Sequence, residues 1–113
     1  MDCLFCKVAK GEIPAKIDYQ DDKVVAFADI NPQAPVHLLI IPRQHINTLN
    51  DLKPEELPIV GDLVRIAAQL AKKHNISEDG YRLVMNCNSN GGQSVYHIHV
   101  HLLGGRLMAW PPG

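Results

Sequence analysis

The stretch YHIHVHLL, residues 96–103, constrains the fold most, because it alternates histidine with apolar residues and contains three of the chain's six histidines. Side chains at positions i, i+2 and i+4 of a strand lie on one face of a sheet. We therefore predict that His97, His99 and His101 share a polar, solvent-facing side of a strand, while the apolar residues between them face the core.

Periodicity in the rest of the chain predicts a sheet with few helices. The apolar spacing changes to three and four residues between Pro54 and about His74, which is typical of an amphipathic helix. Apolar segments bounded by turn residues predict strands at 15–20, 23–29, 36–42 and 81–87, and a short helix is expected at 3–10. This order predicts one α+β domain over residues 1–113 with a mainly antiparallel sheet.

Charge and hydropathy exclude two classes of partner. The 11 basic and 12 acidic residues give a net charge of -1, without a run of Lys or Arg, so binding to a nucleic acid polymer is not expected. No segment approaches the ~18 apolar residues of a membrane span, and the opening MDCLFCKVAK does not resemble a signal peptide. We expect a cytoplasmic protein that contacts neither nucleic acid polymers nor membranes.

Three interpretations of the histidine row remain open at this point. The imidazoles could be ordinary polar residues on an exposed sheet face. They could bind a metal with a further ligand such as His37, although neighbouring Cα atoms in the row lie about 6.6 Å apart and the outer pair about 13 Å, so all three cannot easily reach one ion. They could also act on a phosphate.

The polar loop before the row favours the phosphate. Residues 88–94 place Gly91 and Gly92 next to each other, so backbone amides can turn toward an anion, and Gln93 and Ser94 add side-chain donors. Such a loop is also an ordinary turn when it stands alone. Followed within five residues by imidazoles, whose unperturbed pKa is about 6.5, it predicts an anion site beside a nucleophile or general acid.

Three segments resemble the histidine triad (HIT) family, in its Hint branch of nucleoside phosphoramidate hydrolases. They are DCLFCKVAKGEIPAKI, FADINPQAPVHLLIIPRQHI and GGQSVYHIHVHLLGGRLMAWPPG. The resemblance implies a HIT fold with about five mainly antiparallel strands, one long and one short helix, and two sheets joined across a homodimer. It also implies hydrolysis of P–N bonds in purine nucleoside 5′-monophosphate phosphoramidates through a nucleotidyl-histidine intermediate.

The resemblance assigns separate roles within the row. His99 is the implied nucleophile, His101 bonds the phosphate, and His37 orders the site or relays protons. Ser94 would contact the phosphate and the leaving group. The implied catalytic set is His37, Ser94, His97, His99 and His101, and it requires no metal for catalysis.

The implied nucleotide contacts extend over most of the chain. Asp29 would accept hydrogen bonds from the ribose hydroxyls, and Trp110 would reach toward the partner subunit's site, although Trp110 could instead anchor the tail by hydrophobic contact. Val8 and Leu39 could belong to the base wall or to the plain core. The nucleotide-binding set is Phe5, Phe27, Asp29, Ile30, Asn86, Gly92, Gln93, Ser94, His99, His101 and Trp110.

The CxxC pair at the start of the chain can also be interpreted through the resemblance. Some HIT relatives hold a structural zinc ion, and the matching residues here are Cys3, Cys6, His45 and His97. Two thiolates and two imidazoles form a tetrahedral set that zinc prefers, whereas other relatives lack the cysteines and fold without metal. Cys87 is expected to be a small residue at a strand end.

Two other classes of function remain possible for this sequence. The first is a purine-nucleotide-binding regulatory or scaffold protein with incidental hydrolase activity. The second is a metal-binding protein that uses the histidine row.

Overall fold

An antiparallel sheet of five strands organises residues 2–113, the part of the chain that this computed structural model describes. The strands are β1 (Ile17–Gln20), β2 (Val24–Ala28), β3 (Val36–Pro42), β4 (Tyr81–Val84) and β5 (Val100–Gly104). Their order across the sheet is β1-β2-β3-β5-β4, and every neighbouring pair is antiparallel. The predicted α+β class with a mainly antiparallel sheet is confirmed.

Three helices accompany the sheet: α1 (Leu4–Ala9), α2 (Leu57–Lys73) and α3 (Asn88–Gly91). The helix α2 follows a 3-10 turn at Pro54–Glu56, with Pro58 in its first turn, where a missing amide hydrogen costs little. The helix α3 differs from the prediction, which placed only an irregular loop here. This short turn ends at Gly92, whose φ of 80° suits a residue without a side chain.

Strand β3 is an almost continuous apolar run and is buried on both faces. Both faces of the sheet are accordingly covered. On one face, α2 packs Leu63 and Ile66 against Ile40 and the neighbouring strands. On the other face, α1 packs Phe5 against a second cluster that includes Phe27. The predicted solvent-facing side is therefore wrong. Helix α1 covers it, and His97 and His99 are only 0% and 5% exposed.

The histidine segment is only partly a strand. Strand β5 begins at Val100, so His101 lies on it while His97 and His99 precede it. Before β5, the amide of Ile98 donates at 2.8 Å to the carbonyl of Ile46, which lies in the loop after β3. The alternation holds within β5, where Val100 is in the α2-side core and His101 is opposite Leu39.

Residues 105–113 run along the surface in irregular conformation. Gly105 has a φ of 90°, and a Cβ placed there would lie 2.9 Å from the Cβ of Pro35. The tail is therefore closely packed on the loop between β2 and β3. None of the helices within residues 2–113 is long and apolar enough to cross a membrane.

Candidate active site and metal centre

His99 presents one unprotonated ring nitrogen. Its Nδ1 lies 2.7 Å from the carbonyl oxygen of His97, and since a carbonyl only accepts, Nδ1 carries the proton and donates. Nε2 of the neutral ring then has a lone pair. Burial, opposed by this hydrogen bond, lowers the pKa of His99 below its usual value. Phe5 packs edge-on against the ring with centroids 5.0 Å apart. The arrangement suits a nucleophile at neutral pH.

His37 and His101 form a hydrogen-bonded pair beside His99. The amide of Gln33 donates to Nδ1 of His37 at 3.0 Å, so the neutral ring of His37 carries its proton on Nε2. That nitrogen lies 2.9 Å from Nδ1 of His101. Burial, with the nearby His99 and His37, lowers the pKa of His101 to about 4. The neutral His101 ring therefore carries its proton on Nε2, where it can donate to an anion.

Asp29 adds a carboxylate next to this pair. Its Oδ2 lies 3.4 Å from Nε2 of His37, and its Oδ1 accepts from the amide of Asn31 at 2.8 Å. The side chain is 19% exposed, so part of the carboxylate remains accessible to a ligand. A partly exposed carboxylate at this position can accept hydrogen bonds from hydroxyl groups.

The loop before the histidines is built by Gln93. Its buried side chain accepts from the amide of Asn88 at 2.9 Å and donates to the carbonyls of Asn47 at 2.7 Å and Val95 at 3.2 Å. The expected side-chain donor to a phosphate is therefore wrong for Gln93, because its amide group holds the loop together. The amides of Gly92 and Gln93 donate to carbonyls at the start of α3, at 3.0 and 3.1 Å. Ser94 is exposed at the end of the loop.

The remaining predicted nucleotide contacts fall into two groups. Phe27 is buried against Phe5 with ring centroids 5.4 Å apart, and Asn86 is half-buried between β4 and α3. Ile30 and Trp110 lie at the surface, with 101% and 82% of their areas exposed. The structure does not place these two in a pocket with the histidines, and the exposure of Trp110 makes hydrophobic anchoring of the tail wrong.

Val8 and Leu39 are both buried in the α1-side cluster, in the same surroundings as Phe5 and Phe27. Ser94 lines a depression of about 520 Å³ together with Cys3 and His45. Asp29 and His37 line a separate depression of about 290 Å³. The two predicted polar contacts therefore open on different parts of the surface.

The side chains of Cys3, Cys6, His45 and His97 converge, as the resemblance to the HIT family implies. Their potential ligand atoms all lie within 4.8 Å of one another. Nδ1 of His97 is 3.4 Å from Sγ of Cys3, and Nδ1 of His45 is 3.3 Å from Sγ of Cys6. All the cysteines are free thiols. The cluster therefore brings two sulfurs and two ring nitrogens together between α1 and the sheet.

The ring protons of this cluster point away from the sulfurs. Nε2 of His97 lies 2.7 Å from the carbonyl oxygen of Pro42 and must donate to it, which leaves a lone pair on Nδ1. Nε2 of His45 lies 2.5 Å from Oδ1 of Asn47, and donation there again leaves Nδ1 unprotonated. Burial and the neighbouring Cys3 raise the pKa of the Cys6 thiol. With loss of the thiol protons, these residues fit a tetrahedral zinc ion.

The potential ligand atoms of Asp29, His37 and His101 also lie within 4.8 Å of one another. These residues nevertheless fit a metal ion poorly. The Gln33 amide occupies Nδ1 of His37, so Nε2 carries the proton and offers no lone pair.

The sequence did not predict the groups that set these protons. They are the amide of Gln33, the carbonyl of Pro42 and the side chain of Asn47. Backbone groups give no signal in residue type, while Asn47 carries a weak one, since it stands two positions after His45.

Comparison with known proteins identifies the family. The HIT domain model matches residues 10–108. A purine nucleoside phosphoramidase of Escherichia coli K12 is 54% identical over 105 residues, covering 93% of this chain and 88% of that protein. A 14 kDa zinc-binding protein of Zea mays is 54% identical over 112 residues, covering 97% and 87%. A HIT family hydrolase of Legionella pneumophila superposes with a TM-score of 0.97 at 56% identity, covering 99% of this chain and all of that one. The chain belongs to the HIT domain family.

Proposed function

We propose that this chain hydrolyses the P–N bond of purine nucleoside 5′-monophosphate phosphoramidates, with His99 as the nucleophile. The observation that carries the proposal is the tautomer of His99, whose Nδ1 donates to the His97 carbonyl at 2.7 Å and leaves Nε2 unprotonated. The similarity to a purine nucleoside phosphoramidase and to a HIT family hydrolase supports the reaction class.

The reaction proceeds as two displacements at phosphorus. Nε2 of His99 attacks, the bond to the amine breaks, and the amine leaves after taking up a proton. Water then attacks the nucleotidyl-histidine, gives up a proton, and releases the nucleoside monophosphate with His99 restored. The Nε2–H of His101 donates to the phosphate in both steps, as preorganised donors do.

The proposed substrate contacts are those that the resemblance to the HIT family implies. Asp29 accepts from the ribose hydroxyls, Phe5 and Phe27 form the apolar wall for the base, and Ser94 contacts the phosphate and the leaving group. The partly exposed carboxylate of Asp29 and the exposed Ser94 support these roles.

Mass measurement of a quenched reaction with an adenosine phosphoramidate tests the proposal. The wild-type protein should carry an AMP adduct on a peptide containing His99. The His99→Gly variant should form no adduct and lose roughly 10⁴-fold or more in kcat/KM. Unchanged circular dichroism and metal content would show that this variant is folded. Retention of wild-type activity by His99→Gly would exclude His99 as the nucleophile.

We also propose that Cys3, Cys6, His45 and His97 hold a structural zinc ion. The two unprotonated Nδ1 atoms facing thiols support it, together with the similarity to a zinc-binding protein. The ion, when bound, ties α1 to the sheet and takes no part in the reaction. Metal analysis of tag-free protein should find one zinc per chain, which Cys3→Ser removes and Cys87→Ser retains. A zinc-free wild type whose stability Cys3→Ser does not change would exclude the site.

Finally, we propose a homodimer. Strand β4 is at one edge of the sheet, and α2 leaves Leu57 and Val64 59% and 44% exposed. An exposed apolar helix face and an open strand edge each favour self-association. Sedimentation equilibrium should give twice the chain mass, and Val64→Glu should give monomers. A monomeric wild type at micromolar concentration would contradict this proposal.

A further inference from the structure

A chain of hydrogen bonds connects the C-terminal tail to His101. Nε of Arg106 donates to the carbonyl of Gln33 at 3.0 Å, and the amide of Gln33 donates to Nδ1 of His37 at 3.0 Å. Nε2 of His37 then lies 2.9 Å from Nδ1 of His101. Arg106 fixes the position of Gln33 through its carbonyl, and the bonds to the rings start separately at the Gln33 amide, which only donates, and pass through two imidazoles, which can donate or accept.

The fixed donors determine the protons on both rings. Because the Gln33 amide cannot accept, Nδ1 of His37 has to be the acceptor, and the single proton of the neutral ring lies on Nε2. That nitrogen donates to Nδ1 of His101, so the proton of neutral His101 lies on its own Nε2. A reversed order would place two N–H groups against each other at Nδ1 of His37.

The carboxylate of Asp29 also favours the proton on Nε2 of His37. Oδ2 of Asp29 lies 3.4 Å from Nε2 of His37, and a carboxylate accepts a hydrogen bond, so it also favours the proton on that nitrogen. The neighbouring His99 ring, 4.9 Å from His101 between centroids, uses its Nδ1 proton on the His97 carbonyl. Burial is the main reason that the pKa values of His37 and His101 are lowered, so both rings are neutral near pH 7.

The loop that presents the Gln33 amide is itself held in place. Nε2 of Gln33 donates to the carbonyl of Asn31 at 3.0 Å, and the amide of Asn31 donates to Asp29 at 2.8 Å. Gly105 packs against Pro35 so closely that a Cβ would lie 2.9 Å from it. The tail thus holds the loop through this contact and through Arg106.

We propose that the backbone amide of Gln33, held by Arg106, is a positioning group that keeps the proton of His101 on Nε2, facing the phosphate. This inference rests on the proposed function only for the consequence in catalysis. The placement of the protons stands on the hydrogen bonds alone. Without the amide, the His37 ring can adopt either tautomer, and in one of them His101 presents a lone pair instead of a proton to the anion.

Gln33→Pro removes the amide hydrogen, and Gln33→Ala keeps it. Both variants lose the exposed side-chain bond to the Asn31 carbonyl, so Gln33→Ala is the matched control for that loss. Long-range ¹H–¹⁵N spectra of the imidazoles in ligand-free protein report the tautomers directly. We expect a single Nε2–H form for His37 and His101 in the wild type and in Gln33→Ala, and a mixture in Gln33→Pro. With an adenosine phosphoramidate, Gln33→Pro should lose about 10- to 100-fold in kcat with little change in KM, while Gln33→Ala stays within about twofold.

Arg106 provides a second pair of variants if Gln33→Pro does not fold. Arg106→Ala should broaden the tautomer distribution and lower kcat by about three- to tenfold, and Arg106→Lys, which keeps a donor, should recover most of the loss. The inference would be overturned, whatever the activity, if folded Gln33→Pro shows a single Nε2–H form of His37. If Gln33→Pro is unfolded, the same result in Arg106→Ala would overturn it. A tautomer mixture with unchanged kcat would overturn its role in catalysis. If the wild type shows the single tautomer but does not turn over, the proposed function fails and the proton placement stands.

Discussion

Two groups of close-packed histidines, one around Cys3 and Cys6 and the other around Asp29, differ in where their protons lie. His97 in the first group donates from Nε2 to the carbonyl of Pro42, and its other nitrogen has a lone pair for a metal. His37 in the second group accepts at Nδ1 from the amide of Gln33, and its other nitrogen has a proton. A backbone acceptor therefore leaves a lone pair on the far ring nitrogen of His97, and a backbone donor leaves a proton on the far ring nitrogen of His37.

His97 contacts both the cysteine group and His99, through different atoms. Its imidazole faces the two thiols, while its carbonyl oxygen accepts from Nδ1 of His99. The cysteine–histidine cluster and the proposed nucleophile are thus adjacent without sharing a side chain.

His97→Asn should break the metal group and spare most of the catalysis. The variant lacks one imidazole ligand, so zinc affinity should fall more than about 10³-fold, since a closed tetrahedral site needs all four ligands. The carbonyl of residue 97 remains, and the Ile98 amide still holds the segment to Ile46. We expect kcat within about tenfold of wild type. Zinc competition with a chromogenic chelator and steady-state kinetics measure the two effects. A loss of activity that parallels the loss of zinc would contradict this separation.

His101→Asn should have the opposite effect. It removes the Nε2–H donor to the phosphate, and loss of one such donor typically lowers kcat by about 10²- to 10³-fold. The zinc content should be unchanged, because no atom of His101 belongs to the cysteine group. Kinetics and metal analysis on the same preparation check both parts. If His101→Asn lowers zinc occupancy, the two groups are coupled, and the proposed independence of the two groups is wrong.

The sequence predicted these groups better than it predicted their surroundings. The family resemblance named the residues of both groups, and the structure brings their side chains together, while the 3.6-residue period located α2. The sequence pattern wrongly predicted an exposed face for the histidines. Periodicity cannot show that α1 packs Phe5 and Val8 over that side. The strand was also predicted too long, since the bond from Ile98 to Ile46 depends on a distant segment.

The proton positions could not be predicted from residue type at all. They depend on the carbonyl of Pro42 and the amide of Gln33, and every residue has a carbonyl and nearly every residue an amide. Only the fold decides which of these meets an imidazole. Gln93 shows the same limit, because its residue type suggested a donor to phosphate, whereas its buried amide group holds the loop.

Asn47→Ala tests the metal group from outside its ligand set. The variant removes the acceptor that holds Nε2–H of His45, and loss of such a partner typically lowers metal affinity by about 10- to 100-fold. The backbone carbonyl of residue 47 still accepts from Gln93, so the loop should be retained. Zinc competition should show the loss, with kcat unchanged. Asn50→Ala, an exposed neighbour, is the control. Equal zinc affinity in the two variants would mean that His45 does not ligate through Nδ1.

His101 should also make the stability of the folded protein depend on pH. The pKa of His101 is lowered from 6.5 to about 4, chiefly by burial. Between these values the unfolded chain binds a proton that the folded chain does not, so stability is full above pH 6.5 and falls toward pH 4. After allowance for partial exposure, we expect His101 to contribute about 1 kcal/mol to the loss of unfolding free energy between pH 7 and pH 5. Urea unfolding of wild type and His101→Asn at both pH values measures this contribution as a difference. Burial also lowers the pKa of His37, so the variant should keep part of the dependence. The same pH dependence in both proteins would show that His101 is not held neutral in the folded state.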